Sequence, residues 1–162
     1  MAIRLAKDFR DLLREFVDQR VRFLVVGAYA LAVLGRPRAT GDLDVWVEPT
    51  VSNARRVRKA LVNFGAPLHD LTAKDLATPG VVFQIGLPPL RIDILTQLTG
   101  LDFLAAWGRR MEADFDGVRV DIIGRDDFLL NKRTIGRTKD LADVEQLEPR
   151  KRPRRVKPAR PT

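Results

Sequence analysis

Residues 27–47 read GAYALAVLGRPRATGDLDVWV. Leu43–Val47 (LDVWV) has the character of a buried strand, and Asp42 and Asp44 stand two apart at its mouth. Successive side chains of a strand point to opposite faces. Both carboxylates therefore share one face, while Leu43 and Val45 turn into the core. Two carboxylates a few ångströms apart repel, and each raises the other's pKa. A cation between them relieves that repulsion. The chain has no cysteine, and His69 is its only histidine. The available ligands are therefore oxygens, and the fitting guest is a hard ion, Mg2+ or Mn2+.

Upstream of this stretch, Arg22–Val26 (RFLVV) reads as a buried strand that ends at Gly27. The following AYALAVLG suits a short helix, which Pro37 closes. Residues 3–19 place Ile3, Leu5, Phe9, Leu12, Leu13, Phe16 and Val17 at mostly helical spacing and predict an amphipathic helix. Downstream, Thr50 or Ser52 can cap a helix over 51–64, and Gly65 can end it. Thr72 and Asp75 have capping-box spacing. Val81–Ile85 and Leu90–Leu95 read as strands joined by a GLPP turn, and 101–110 as a helix. Met111–Phe115 and Val118–Ile123 predict a hairpin across Asp116-Gly117. Arg125–Arg133 and Thr138–Glu148 predict two final helices. The order implies an α/β (α+β) domain with one mixed β-sheet flanked by helices.

A third carboxylate, Asp93, lies in the apolar run Arg91-Ile92-Asp93-Ile94-Leu95. With Ile92 and Ile94 in the core, Arg91 and Asp93 share the other face. If this strand pairs with Leu43–Val47, Asp42, Asp44 and Asp93 form one cluster. Such a cluster suits two-metal phosphoryl or nucleotidyl transfer. Gly27, between a buried strand and a helix, offers backbone N–H groups to a phosphate. Arg38 and Thr40 lie close enough in sequence to contact phosphate or carboxylate.

Composition separates a body from a tail. The chain has 162 residues and a formal net charge of +8. Residues 149–162 (PRKRPRRVKPARPT) hold seven basic residues and no acid, leaving residues 1–148 with 22 basic and 21 acidic side chains. The body is the expected domain. The tail, without aromatics, is expected to be disordered and to touch nucleic acid only without sequence preference. Absent cysteines exclude disulfides, thiolate nucleophiles and Cys-based metal sites. One serine, Ser52, and one histidine leave little room for a Ser-His-Asp triad. No apolar run approaches the ~20 residues of a membrane span. MAIRLAKDFRDLL lacks a signal-peptide core. The expected location is the cytoplasm.

The motif Gly27-Ala28-x-Ala30 followed by Arg38-x-Thr40-x-Asp42-Leu43-Asp44 resembles the first signature of the polymerase-beta-like nucleotidyltransferase superfamily. It is closest to a small bacterial group that includes AbiEii-type toxins. The block from Asn131-Lys132 to Arg137-Thr138-Lys139-Asp140-Leu141-x-Asp143 is similar to that group's second signature. The resemblance spans roughly residues 21–148. Two departures stand out: Ala28 replaces a Gly or Ser, and Leu34 replaces a frequent His. The resemblance implies a minimal nucleotidyltransferase fold that moves a nucleoside monophosphate from an NTP to a hydroxyl of RNA (tRNA) or protein. It further implies Asp42, Asp44 and Asp93 as metal ligands, with Asp93 helping to deprotonate the acceptor. Gly27 and Ala28 would cradle the triphosphate. Arg38, Thr40, Lys132, Lys139 and Asp140 would lie near the nucleotide. Asp143 reads equally well as a helix N-terminal acid. A toxin–antitoxin role with a cognate antitoxin is the implied setting. The rival reading is a catalytically inactive module of the same fold that binds nucleic acid or a partner protein.

Overall fold

A computed structural model describes residues 2–37, 40–148 and 159. Among the described residues, seven strands form one mixed sheet in the order β1-β6-β7-β2-β3-β5-β4. They are β1 (Ala2–Ile3), β2 (Phe23–Val26), β3 (Asp42–Val47), β4 (Val82–Leu87), β5 (Leu90–Leu95), β6 (Met111–Phe115) and β7 (Val118–Ile122). The helices are α1 (Lys7–Asp18), α2 (Gly27–Val33), α3 (Val51–Phe64), α4 (Ala73–Leu76), α5 (Phe103–Gly108), α6 (Arg125–Ile135) and α7 (Thr138–Leu147). The expected sheet flanked by helices is what the chain forms. The basic tail expected over 149–162 lies outside the described residues, apart from residue 159.

Strand alternation divides the core between the two faces of the sheet. Phe23, Val25, Leu43, Val45, Val47, Ile92 and Ile94 pack with Phe9, Leu12, Leu13 and Phe16 of α1 and Ala54, Val57 and Leu61 of α3. Leu24, Val26 and Trp46 turn the other way and meet Leu31 of α2, Phe103 of α5 and Phe128 of α6. Each fully buried Leu or Phe contributes about 1.5–3 kcal/mol through removal from water. Trp46 is sealed by an edge-on contact with Phe103 at 5.0 Å between ring centroids. On β3 the second face is therefore dry at Trp46 and polar at Asp42 and Asp44.

Local chemistry sets the element ends. Thr50 caps α3 by accepting from Asn53 N, and Gly65 closes it at φ 88°. Thr72 and Asp75 form the reciprocal capping box. Asp116 and Gly117 both take positive φ, as the tight β6–β7 hairpin requires. One expectation is corrected at the N-terminus. Ile3 does not begin the first helix; it pairs with Phe115 in a short parallel strand, and α1 starts at Lys7. An apolar residue at helical spacing satisfied the pattern, but the sheet edge at β6 supplied a better partner.

Candidate active site

Strand register assembles the carboxylates. β3 and β5 run parallel, with Asp44 opposite Asp93 and Asp42 opposite Arg91. On the other side of β3, Asp44 lies opposite Val26 of antiparallel β2, next to Gly27. The loop before β3 is pinned locally. Thr40 Oγ1 accepts from Asp42 N at 3.1 Å. Gly41 O accepts from Arg91 N at 2.9 Å. A Cβ at Gly41 would fall 1.7 Å from Pro89 O, so only glycine lets these two segments approach.

A polar cavity of about 400 Å3 opens over this register. Gly27, Ala28, Thr40, Asp42, Asp44, Asp93, Lys132 and Lys139, all candidates in the sequence, line this one cavity. Arg91, Leu95 and Arg137 line it too. Three carboxylates thus meet four cationic side chains, a balance suited to a polyanion that carries its own cations. Larger depressions exist, including one of about 500 Å3 beside α1 and the end of α3. None of them gathers β3 and β5 carboxylates, so convergent chemistry and not size selects the site.

Asp44 is the electrostatic centre. Burial raises its pKa most, and the neighbouring Asp93 and Asp42 raise it further, to about 6, against a partial pull from Lys132. Asp93 is 8% exposed, and its Oδ1 has no aligned hydrogen-bond donor. These donors are hard oxygens in mutual repulsion, and they fit a divalent cation. Among the described residues, however, no three acidic, His or Cys side chains stand as a ready chelate. Arg91 bridges two of the ligands instead: its Nη2 is 3.4 Å from Asp42 Oδ2, and its Nε is 3.0 Å from Asp93 Oδ1.

Asp140 departs from its expected place. It does not line the cavity; it is fully buried beneath it. Lys132 Nζ donates to Asp140 Oδ1 at 3.3 Å, and Arg137 Nε to Oδ2 at 2.6 Å. Burial opposes the charged form, yet Arg137 and Lys132 hold the carboxyl below its ordinary pKa. Asp143, also buried, lies 3.6 Å from Lys132. Asp140 therefore anchors Lys132 and Arg137 from below the cavity wall. Arg137, which the sequence reading passes over, is the added member of the cavity; its signal is the Arg-x-x-Asp spacing at the start of α7. Arg38 lies outside the described residues.

Asp140→Asn is expected to destabilise the protein by about 2–3 kcal/mol at pH 7, less than the ~3–5 kcal/mol of a wholly orphaned charge because Asp143 remains beside Lys132. A lowered folded pKa means the ion-pair stability is present above the ordinary carboxyl pKa and is lost as pH falls through the folded value. The difference from wild type should accordingly shrink in acid. Urea melts at pH 7 and pH 3 check this; an equal difference at both refutes it.

Two solved structures place the fold. One is a protein from Thermotoga maritima that is itself a proposed nucleotidyltransferase, with TM-score 0.59, 10% identity, and coverage of 85% of this chain and 88% of that one. The other is the lincosamide antibiotic adenylyltransferase LnuA in its lincomycin-bound form, with TM-score 0.58, 15% identity, and coverage of 92% and 99%. The fold is that of a nucleotidyltransferase. No protein-family model and no curated sequence matches the chain. No helix among the described residues is long and apolar enough to cross a membrane.

Proposed function

We propose that this protein is a metal-dependent nucleotidyltransferase that moves a nucleoside monophosphate from an NTP to a hydroxyl and releases pyrophosphate. The carrying observation is the β3–β5 register, which sets Asp44 against Asp93 and brings Asp42 into the same basic-walled cavity. Asp42, Asp44 and Asp93 would hold Mg2+ or Mn2+, which when bound supplies Lewis acidity toward the phosphates and the acceptor. Lys132, Arg137 and Lys139 would neutralise the triphosphate and the leaving pyrophosphate. Asp93, the most buried of the three carboxylates, would take the acceptor's proton. Gly27 and Ala28 would carry the triphosphate on their backbone amides.

The acceptor we propose is a hydroxyl of RNA, tRNA in particular, or of protein. The likeness of the two sequence signatures to the AbiEii-type group supports this choice and a place in a toxin–antitoxin pair in the cytoplasm. LnuA, an adenylyltransferase of lincosamide antibiotics, has a similar fold and a small-molecule substrate, so the fold alone does not choose the acceptor. The inactive-module reading draws on Arg91, which fills the carboxylate cluster.

Thermal shift with each NTP, with and without Mg2+, separates the two. A transferase is expected to be stabilised by an NTP only with Mg2+, and the Asp42→Asn/Asp44→Asn protein is expected to lose the shift. Labelled-NTP incubation with total RNA and total protein then finds the acceptor. No Mg2+-dependent shift in the wild type refutes the enzyme reading.

A further inference from the structure

We propose that Arg91 is the site's internal counter-cation: it occupies the place of the divalent ion in the metal-free protein and yields it when a triphosphate arrives. The inference rests on the transferase reading and adds a positioning residue that controls when metal binds. β5 fixes Arg91 opposite Asp42 and two residues before Asp93, so its side chain emerges between the two carboxylates. The guanidinium reaches both, with Nη2 3.2 Å from Asp93 Oδ2 and 3.4 Å from Asp42 Oδ2. A divalent ion held by Asp42 and Asp93 would draw on the same carboxylates, and a unit positive charge among them would repel it.

Arg91 is held by charge more than by geometry. Its Nε lies 3.0 Å from Asp93 Oδ1, yet neither atom has an aligned hydrogen-bond partner. A well-made arginine–carboxylate pair is a parallel fork with both bonds aligned. The side chain is 30% exposed and lines the cavity that Lys132, Arg137 and Lys139 also line. It can therefore leave Asp42 and Asp93 for a phosphate in that cavity without losing its counter-charge. Metal and triphosphate then favour each other, because the nucleotide gives the displaced guanidinium a partner. Linkage makes the effect reciprocal. Metal alone binds weakly, and the enzyme is guarded against idle metal loading.

The probe is Mn2+, with binding to the full chain read by electron paramagnetic resonance without nucleotide. Arg91→Gln and Arg91→Met should each bind Mn2+ at least about tenfold tighter than wild type. Arg91→Lys should stay near wild type because the charge is kept. In EDTA at pH 7.5 the neutral variants should melt below wild type, and Mn2+ should restore them. Should Arg91→Met fail to fold, Arg91→Gln carries the measurement. Equal Mn2+ affinity in wild type and Arg91→Gln, lost in Asp42→Asn, overturns the role of Arg91 and leaves the transferase reading standing. No Mn2+ binding to any form also overturns the role of Arg91, while the transferase reading is decided separately by the Mg2+-dependent NTP shift.

Discussion

Asp44→Asn is expected to lower turnover by a thousandfold or more and, in metal-free protein at pH 7.5, to raise stability. The two effects have one cause. Asp44 sits between β2 and β5, where burial and two neighbouring carboxylates raise its pKa from the ordinary 3.8 to about 6. The folded protein therefore takes up a proton more readily than the unfolded chain. Stability from this residue is full below about pH 4 and is lost as pH rises through about 6. A shift of that size corresponds to about 3 kcal/mol, and partial solvent access reduces it to about 2 kcal/mol. Asparagine keeps the shape and removes the charge. The variant should gain about 2 kcal/mol over wild type at pH 7.5 in EDTA and almost nothing at pH 4. On the proposed transferase reading, turnover falls because the variant lacks one of the carboxylates that would hold the metal. Urea melts of both proteins across pH 4–8 decide it: an unchanged pH profile in the variant removes Asp44 from the centre of the cluster.

The pairing of Asp44 with Asp93 was half legible. Period-two alternation puts Asp42 and Asp44 on one face, and the same rule puts Arg91 with Asp93. Which strands lie side by side is not a local property; it came from β5 docking parallel to β3 across a long connection. Arg91 could be placed on the right face, but its bridge to Asp42 depends on that register. Asp140 is the opposite case. Its motif implies a place near the nucleotide; the fold buries it as the anchor for Lys132 and Arg137, which do line the cavity. Charge spacing along α7 reveals the Arg137–Asp140 pair but not which partner faces the cavity. Ile3 failed for a third reason: a two-residue edge strand has too little sequence to announce itself against a helical pattern.

Gly27→Ala is expected to cost about 2–4 kcal/mol and to lower turnover about a hundredfold or more. Gly27 has φ +67°, a conformation that costs an L-residue about 1 kcal/mol. Its hydrogen also faces Asp44. A Cβ there would lie 2.2 Å from Asp44 Oδ2, inside any real contact distance, and a tight 3.1 Å from its Cγ. The carboxylate must swing away from Asp93, in a site where a displacement near 1 Å can cost a hundredfold in rate. The two contributions can be separated. In an Asp44→Ala background the blocking oxygens are absent and only the 3.2 Å approach to the Cβ of residue 44 remains, so the cost should fall toward the backbone strain of about 1 kcal/mol. The double-mutant cycle should then show coupling of at least about 1 kcal/mol between positions 27 and 44. A Gly27→Ala cost that is equal in both backgrounds would show that the glycine serves the turn alone. A cost that collapses with Asp44→Ala ties the turn after β2 to the orientation of the central carboxylate.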